Sequence, residues 1–191
     1  MSAKNCWKMI EDYSPRNDQE KADQLLMLAF LKEHEDAFLR SNLTAHFTAS
    51  AWITNNKRDQ VLLIHHNIYN TWTWCGGHAD GQTDLLAVAL KEAKEETGLK
   101  ELKVLDKSPL SLEVLTVNGH YKAGHWVPSH LHLNLTFLLE ADPRAELAIK
   151  ADENSGVAWF APEAAIELNR TAEPWFAERI YPKLNERLKE Y

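Results

Sequence analysis

Gly76-Gly77-His78-Ala79-Asp80-Gly81, then Asp84 to Lys91, then Glu92-Ala93-Lys94-Glu95-Glu96-Thr97-Gly98-Leu99, is the stretch on which the fold reading turns. Asp84 is a helix-capping residue type and Gly98 a helix-stopping one, so a helix is expected between them, through Thr97. At 100° per residue, Glu95 falls about 60° to one side of Glu92 and Glu96 about 40° to the other, which brings three carboxylates into one sector. Leu86, Ala89, Leu90 and Ala93 form the apolar side beside Glu96, so packing on a sheet would fix the acids at the edge of the core.

Carboxylates repel one another, and their convergence makes sense where a hard divalent cation offsets the charge. Mg²⁺ is the expected ion, with Mn²⁺ as a second candidate. The double glycine lets backbone pass without Cβ obstruction, so the Gly76 carbonyl could add an oxygen ligand. By itself an acidic triplet of this kind is most often a solvated helix face, and what sets this one apart is its fixed distance from Gly77 and Gly98.

Outward from this helix the chain alternates strands and helices. Residues 46–53 and 61–64 are β-rich around a turn-like Asn55 to Asp59, which signals a hairpin. Trp72 to Trp74 reads as a third short strand running into a glycine loop. Strands are also expected at 110–117, 131–139 and 157–160, and a terminal helix from Pro174 to Tyr191. Near the start, Asp18 to Arg40 reads as a helix capped by Asp18. The sum is an α/β fold, a sheet covered by helices on two faces, with residues 1–43 as an N-terminal helical extension and 44–191 as the main domain.

Composition narrows the functions. The 191 residues carry 28 acidic and 21 basic side chains, a net charge of −7, which argues against a broad grip on nucleic-acid polymers or an anionic membrane. Cys6 and Cys75 make neither a disulfide framework nor a thiolate zinc site, so a reducing, cytoplasmic setting is expected. No apolar leader is visible before Tyr13, and the longest apolar run, Leu25 to Leu31, is far below spanning length.

Taken together, the glycine turn and the acids resemble the Nudix hydrolase family. Its box runs Gly, five residues, Glu, seven residues, Arg-Glu, an aliphatic, any residue, Glu-Glu, any residue, Gly, an aliphatic. This chain matches at Gly77, Glu92, Glu95, Glu96, Gly98 and Leu99 without insertion or deletion. Thr83 stands where the box has its first Glu, and Lys91 where it has Arg; Lys keeps the charge but loses the planar fork of donors. The likeness extends to the hairpin before the box and to Val157-Ala158-Trp159-Phe160-Ala161-Pro162 after it.

The resemblance implies an α/β/α sandwich around a mixed sheet, and a Mg²⁺-dependent pyrophosphohydrolase that cleaves a diphosphate linkage in a nucleoside diphosphate derivative by water attack. Glu92, Glu95 and Glu96 would be metal ligands with the Gly76 carbonyl, and Glu92 or Glu95 would take the proton of the water. The departures at Thr83 and Lys91 leave open a catalytically weak module that binds a nucleotide or phosphorylated metabolite. A third reading treats the acids as surface charge on an interaction protein.

Further candidates lie outside the box. His130, His132, Asn134 and Thr136 share one face of a strand whose other face is Leu131, Leu133, Leu135 and Phe137; the histidines could line a substrate cleft, bind a second metal, or be a solvated face. His78 follows the glycines and could touch phosphate. Trp74, with Trp72 and Trp126, could stack on a nucleobase. The N-terminal helix could cap the sheet, cover a small-molecule substrate or build a homodimer.

Overall fold

The computed structural model describes residues 3–122 and 124–191. Two helices come first, α1 (Ala3–Glu11) and α2 (Asp18–Glu33). α2 is shorter than expected and its cap is Asn17 rather than Asp18: the extended Asn17 accepts the Glu20 N–H, at 2.9 Å, and Asp18 falls in the first turn, where the helix dipole favours it. The helix stops at Glu33 because the chain must hand Ala37 to the sheet; the Ala37 carbonyl accepts the Phe47 N–H at 2.8 Å.

The hairpin forms as expected from β1 (Ala45–Thr54) and β2 (Val61–His66), and β3 (Thr71–Thr73) extends β2. The double glycine is strand, not loop. It lies in β4 (Cys75–His78), antiparallel to the middle of β1, from Thr48↔His78 to Ala51↔Cys75. Close approach explains the residue type: a Cβ on Gly76 would come 2.8 Å from the Ala49 carbonyl oxygen and 2.6 Å from Ser50 Oγ.

α3 (Leu85–Thr97) has the anticipated ends, with the Asp84 side chain accepting the Ala87 N–H and Gly98 at φ 74°, the left-handed conformation that glycine adopts without strain. After β5 (Lys103–Val104) and β6 (Ser111–Val117), a separate antiparallel pair, β7 (His120–Lys122) and β8 (His125–Val127), precedes β9 (His130–Glu140). β9 runs parallel to β1 along ten matched positions, Ala45↔Leu131 to Thr54↔Glu140. β10 (Asn154–Phe160), α4 (Pro162–Asn169), a π-helical turn (Phe176–Ile180) and α5 (Tyr181–Leu188) complete the chain.

The result is a mixed sheet of eight strands, β10-β2-β1-β9-β5, with β3, β4 and β6 filling the remaining edges of β2, β1 and β9. Alternation along β1 and β9 sends Phe47, Ala49, Leu133 and Phe137 toward Ile10, Met27, Leu85 and Ala89 of α1, α2 and α3, and sends Trp52 and Leu138 toward Tyr181, Leu184 and Leu188 of α5. Burying each such large apolar side chain is worth about 1.5–3 kcal/mol. The fold is therefore α/β, an α/β/α sandwich. No helix among the described residues is long and apolar enough to cross a membrane.

For the polar face of β9 one of the three readings drops out. It is not solvated: His130, Asn134 and Thr136 are buried. Thr48 and Ser50 donate to Asn134 Oδ1 at 3.0 and 2.9 Å, and Asn134 and Thr136 donate to Glu113 Oε2. Glu113 pairs with Lys183, which also meets Glu20, and Glu20 is clamped by both Arg187 nitrogens at 2.6 and 2.8 Å. Satisfying polar atoms in this way is what lets the row be buried.

Candidate active site

α3 delivers the acids to the edge of β4. A Cβ on Gly77 would lie 2.6 Å from Glu92 Cδ, so the Glu92 carboxyl is seated against bare glycine backbone. Glu96 Oε2 accepts the Gly76 N–H at 2.9 Å. Lys91 Nζ reaches Glu92 Oε1 at 3.0 Å and Glu95 Oε2 at 3.4 Å, so the lysine in the arginine position bridges two of the three acids.

The three glutamates are not drawn together as the helical wheel suggested. Among the described residues the trio of donors within 4.8 Å of one another is His46, His130 and His132. Glu95 is exposed and turns to Lys150, 3.3 Å away, as well as to Lys91; desolvation opposes its charge, but the two ammonium groups together outweigh it and hold its carboxyl below the usual range. The wheel fixes direction from the axis, and cations on neighbouring segments then decide where a long side chain points.

Glu96 is the most deeply buried of the three, 2% exposed, with Glu92 at 9%. Burial pushes its carboxyl up to about 8, against the Gly76 N–H that favours the charged form, with Glu92 adding repulsion. Two carboxylates at one rim, one of them short of compensating charge, are a donor set that fits a hard divalent cation.

Gly77 tests this seating. Gly77→Ala is expected to keep the fold, because the clash is with a movable side chain, yet to displace Glu92; we expect kcat to fall at least tenfold with a melting temperature within a few degrees of wild type. Gly76→Ala clashes with backbone and is expected to lower the melting temperature instead. Parallel thermal melts and turnover measurements check both.

The histidines come together. His46 lies opposite His132 in the β1–β9 pair and His78 opposite Thr48 in the β1–β4 pair, so with His130 they share one sheet face. Ring centroids are 4.9 Å apart for His46–His130, 5.1 Å for His46–His132 and 4.8 Å for His78–His132. Burial, reinforced by Arg40 and the other imidazoles, takes His78 down to about 3; burial with the neighbouring histidines takes His132 to about 2. In His78 and His132 burial therefore favours the neutral ring. His46 was not singled out from sequence, although Thr48 and Ser50 continue its polar alternation.

Trp74 does not serve as assigned. It is buried, edge-on to Phe176 and Tyr181, so its ring is part of the core and closed to a base. Trp126 is the exposed one, against Tyr121.

Comparison with known proteins places the fold. The family model described as the NUDIX domain matches residues 44–184. The chain belongs to the Nudix family. Among solved structures, a Caenorhabditis elegans Ap4A hydrolase is 19% identical, covering 76% of this chain and 98% of its own, with a TM-score of 0.55. The Escherichia coli dihydroneopterin triphosphate pyrophosphohydrolase is 15% identical over 72% and 92%, at 0.52. A Nudix-family hydrolase from Clostridium perfringens is 21% identical over 76% and 97%, at 0.50. At these identities the likeness is one of fold. Curated proteins gave no match. Within the Nudix frame, Thr83 lies half-buried just ahead of α3.

Proposed function

We propose that this Nudix hydrolase cleaves a diphosphate linkage in a nucleoside diphosphate derivative by attack of water, using Mg²⁺ or Mn²⁺ held by Glu92, Glu96 and the Gly76 carbonyl, with Glu95 joining them by leaving its lysine partners when the ion binds. The observation that carries the reading is the seating of Glu92 on Gly77 and of Glu96 on the Gly76 N–H, which fixes two acids against one strand. Two of the structural neighbours are named for hydrolysis of Ap4A and of dihydroneopterin triphosphate, compounds with phosphate chains, and the same reaction class is taken here.

When bound, the divalent ion would neutralise the bridging phosphates and make the water acidic. The chain's own residues do the rest. Glu92 or Glu95 accepts the proton of the attacking water, and Lys91 holds these two carboxylates in register; His78, expected from sequence to touch phosphate, faces the other side of β4 and takes no part in this step. Residues 1–43 are an extension on a catalytic domain of 44–191, and the buried thiols of Cys6 and Cys75 fit a cytoplasmic setting.

Turnover on a panel of nucleoside diphosphate derivatives, read by product mass, tests the proposal. Cleavage that requires Mg²⁺ or Mn²⁺ is the expected result. A second reading, a binding module without turnover, is favoured by the Lys91 bridge between Glu92 and Glu95. Calorimetric binding with no product on the same panel would establish it and overturn the first.

A further inference from the structure

We infer that His46, His130 and His132 bind one borderline divalent transition-metal ion, Zn²⁺ foremost, at a site separate from the glutamate rim.

The distances suit such an ion. The three donor atoms lie within 4.8 Å of one another, and His130 Nε2 and His132 Nε2 are 3.2 Å apart. A tetrahedral ion with metal–nitrogen bonds of about 2.0–2.1 Å sets its ligand nitrogens roughly 3.3 Å apart, so this pair already has the required separation. His46 needs only a modest side-chain movement to join it.

The ring orientations point the same way. His46 Nδ1 lies 3.0 Å from the Asn42 carbonyl and His130 Nδ1 2.9 Å from the Pro128 carbonyl. A carbonyl only accepts, so each Nδ1 carries the hydrogen and each Nε2 presents a bare lone pair. Anchoring the far nitrogen on a backbone carbonyl is how ligating imidazoles are commonly held.

What remains is a deficit of donors. A hydrogen bond from His132 can satisfy His130 Nε2, but His46 Nε2 is buried with no hydrogen-bond partner among the described residues, which leaves an acceptor unsatisfied. One cation would satisfy all three lone pairs. Nitrogen donors select Zn²⁺ or a neighbour in the transition series, whereas the carboxylates select Mg²⁺ or Mn²⁺. The two sites also occupy opposite faces of β4, since Gly77 faces Glu92 while His78, its neighbour, shares the face of Thr48. The His78 ring lies 5.1 Å from that of His46 and 4.8 Å from that of His132, beside the open fourth position.

The test uses the full chain, stripped with a chelator and titrated with Zn²⁺ in excess Mg²⁺, bound metal being counted by elemental analysis; Co²⁺ absorption then reports tetrahedral geometry. One Zn²⁺ per chain is expected. The Glu92→Gln/Glu96→Gln variant should retain it, and His132→Asn should lose affinity by more than about 100-fold, beyond the loss caused by removing an outer-shell partner. Thermal melts of the metal-free variants verify folding, and if His132→Asn does not fold, His130→Gln must show the same loss. Failure of the wild type to bind Zn²⁺ in excess Mg²⁺, unchanged affinity in the folded histidine variant, or loss of Zn²⁺ in the glutamate variant would overturn the assignment.

Discussion

Glu96→Gln is expected to reduce kcat by about 10²–10³-fold while leaving the protein as stable as wild type or slightly more so. The loss follows from removing one of the anionic ligands of an ion that supplies several kcal/mol of charge stabilisation in the transition state, about tenfold for each 1.4 kcal/mol. The stability follows from burial. Glu96 is 2% exposed and its carboxyl is pushed up to about 8, so the charged form is disfavoured where it stands, and the neutral amide avoids that penalty. The amide oxygen of the substituted side chain can still accept the Gly76 N–H. Steady-state kinetics with Mg²⁺ and a thermal melt in chelator give the two readings. Wild-type turnover would remove Glu96 from the metal site, and a large drop in melting temperature would make it a structural residue.

Arg187→Met should be the most destabilising substitution at the junction of the two ends of the chain. Arg187 holds Glu20 with two nitrogens and the Leu110 carbonyl at 2.7 Å, all out of solvent. Removing one partner of a buried pair costs about 3–5 kcal/mol, and at roughly 2–4 °C per kcal/mol for a chain of this length the melting temperature should fall by about 6–20 °C. Adding Glu20→Leu should recover much of the loss, because the stranded carboxylate is gone. A fall below about 2 °C in the single variant would show that Lys183, 3.2 Å from Glu20, suffices.

The same pair sets an acid limit. Burial alone would raise the Glu20 carboxyl, but the hydrogen bonds from Arg187, the charge of Lys183 and the Arg16 N–H outweigh it and hold the group at about 2, against 4.5 when free. A lowered native value gives stability that is complete above about pH 4.5 and is lost as the pH falls toward 2. Denaturant titrations at pH 7 and pH 3 should show the decrease in the wild type and a smaller one in Glu20→Leu/Arg187→Met.

Much of this is legible in the residues alone. The caps of α3 are local side-chain and backbone events, so Asp84 and Gly98 mark its ends in the sequence itself. The spacing of Glu92, Glu95 and Glu96 from Gly77 carries the family, because the box is a contiguous pattern. The order of strands and helices along the chain foretells helices on both faces of the sheet. The length of α2 is not legible in this way, because the chain leaves the helix at His34 to bring Ala37 to Phe47, which lies in a later strand.

Sequence by itself marked the hairpin, the strand that became β9 and the capped helix α3, and which residues are chemically able to act, since periodicity and capping work over a few neighbouring residues; it did not mark α1 or the strand formed by the double glycine. Tertiary structure decided where those residues look. It took strand register to set His46 beside His132 and His78 beside both, close packing to bury Trp74, and the ammonium groups of Lys91 and Lys150 to turn Glu95 outward. Each of those outcomes depends on contacts between distant parts of the chain, and such contacts exist only once the sheet has closed.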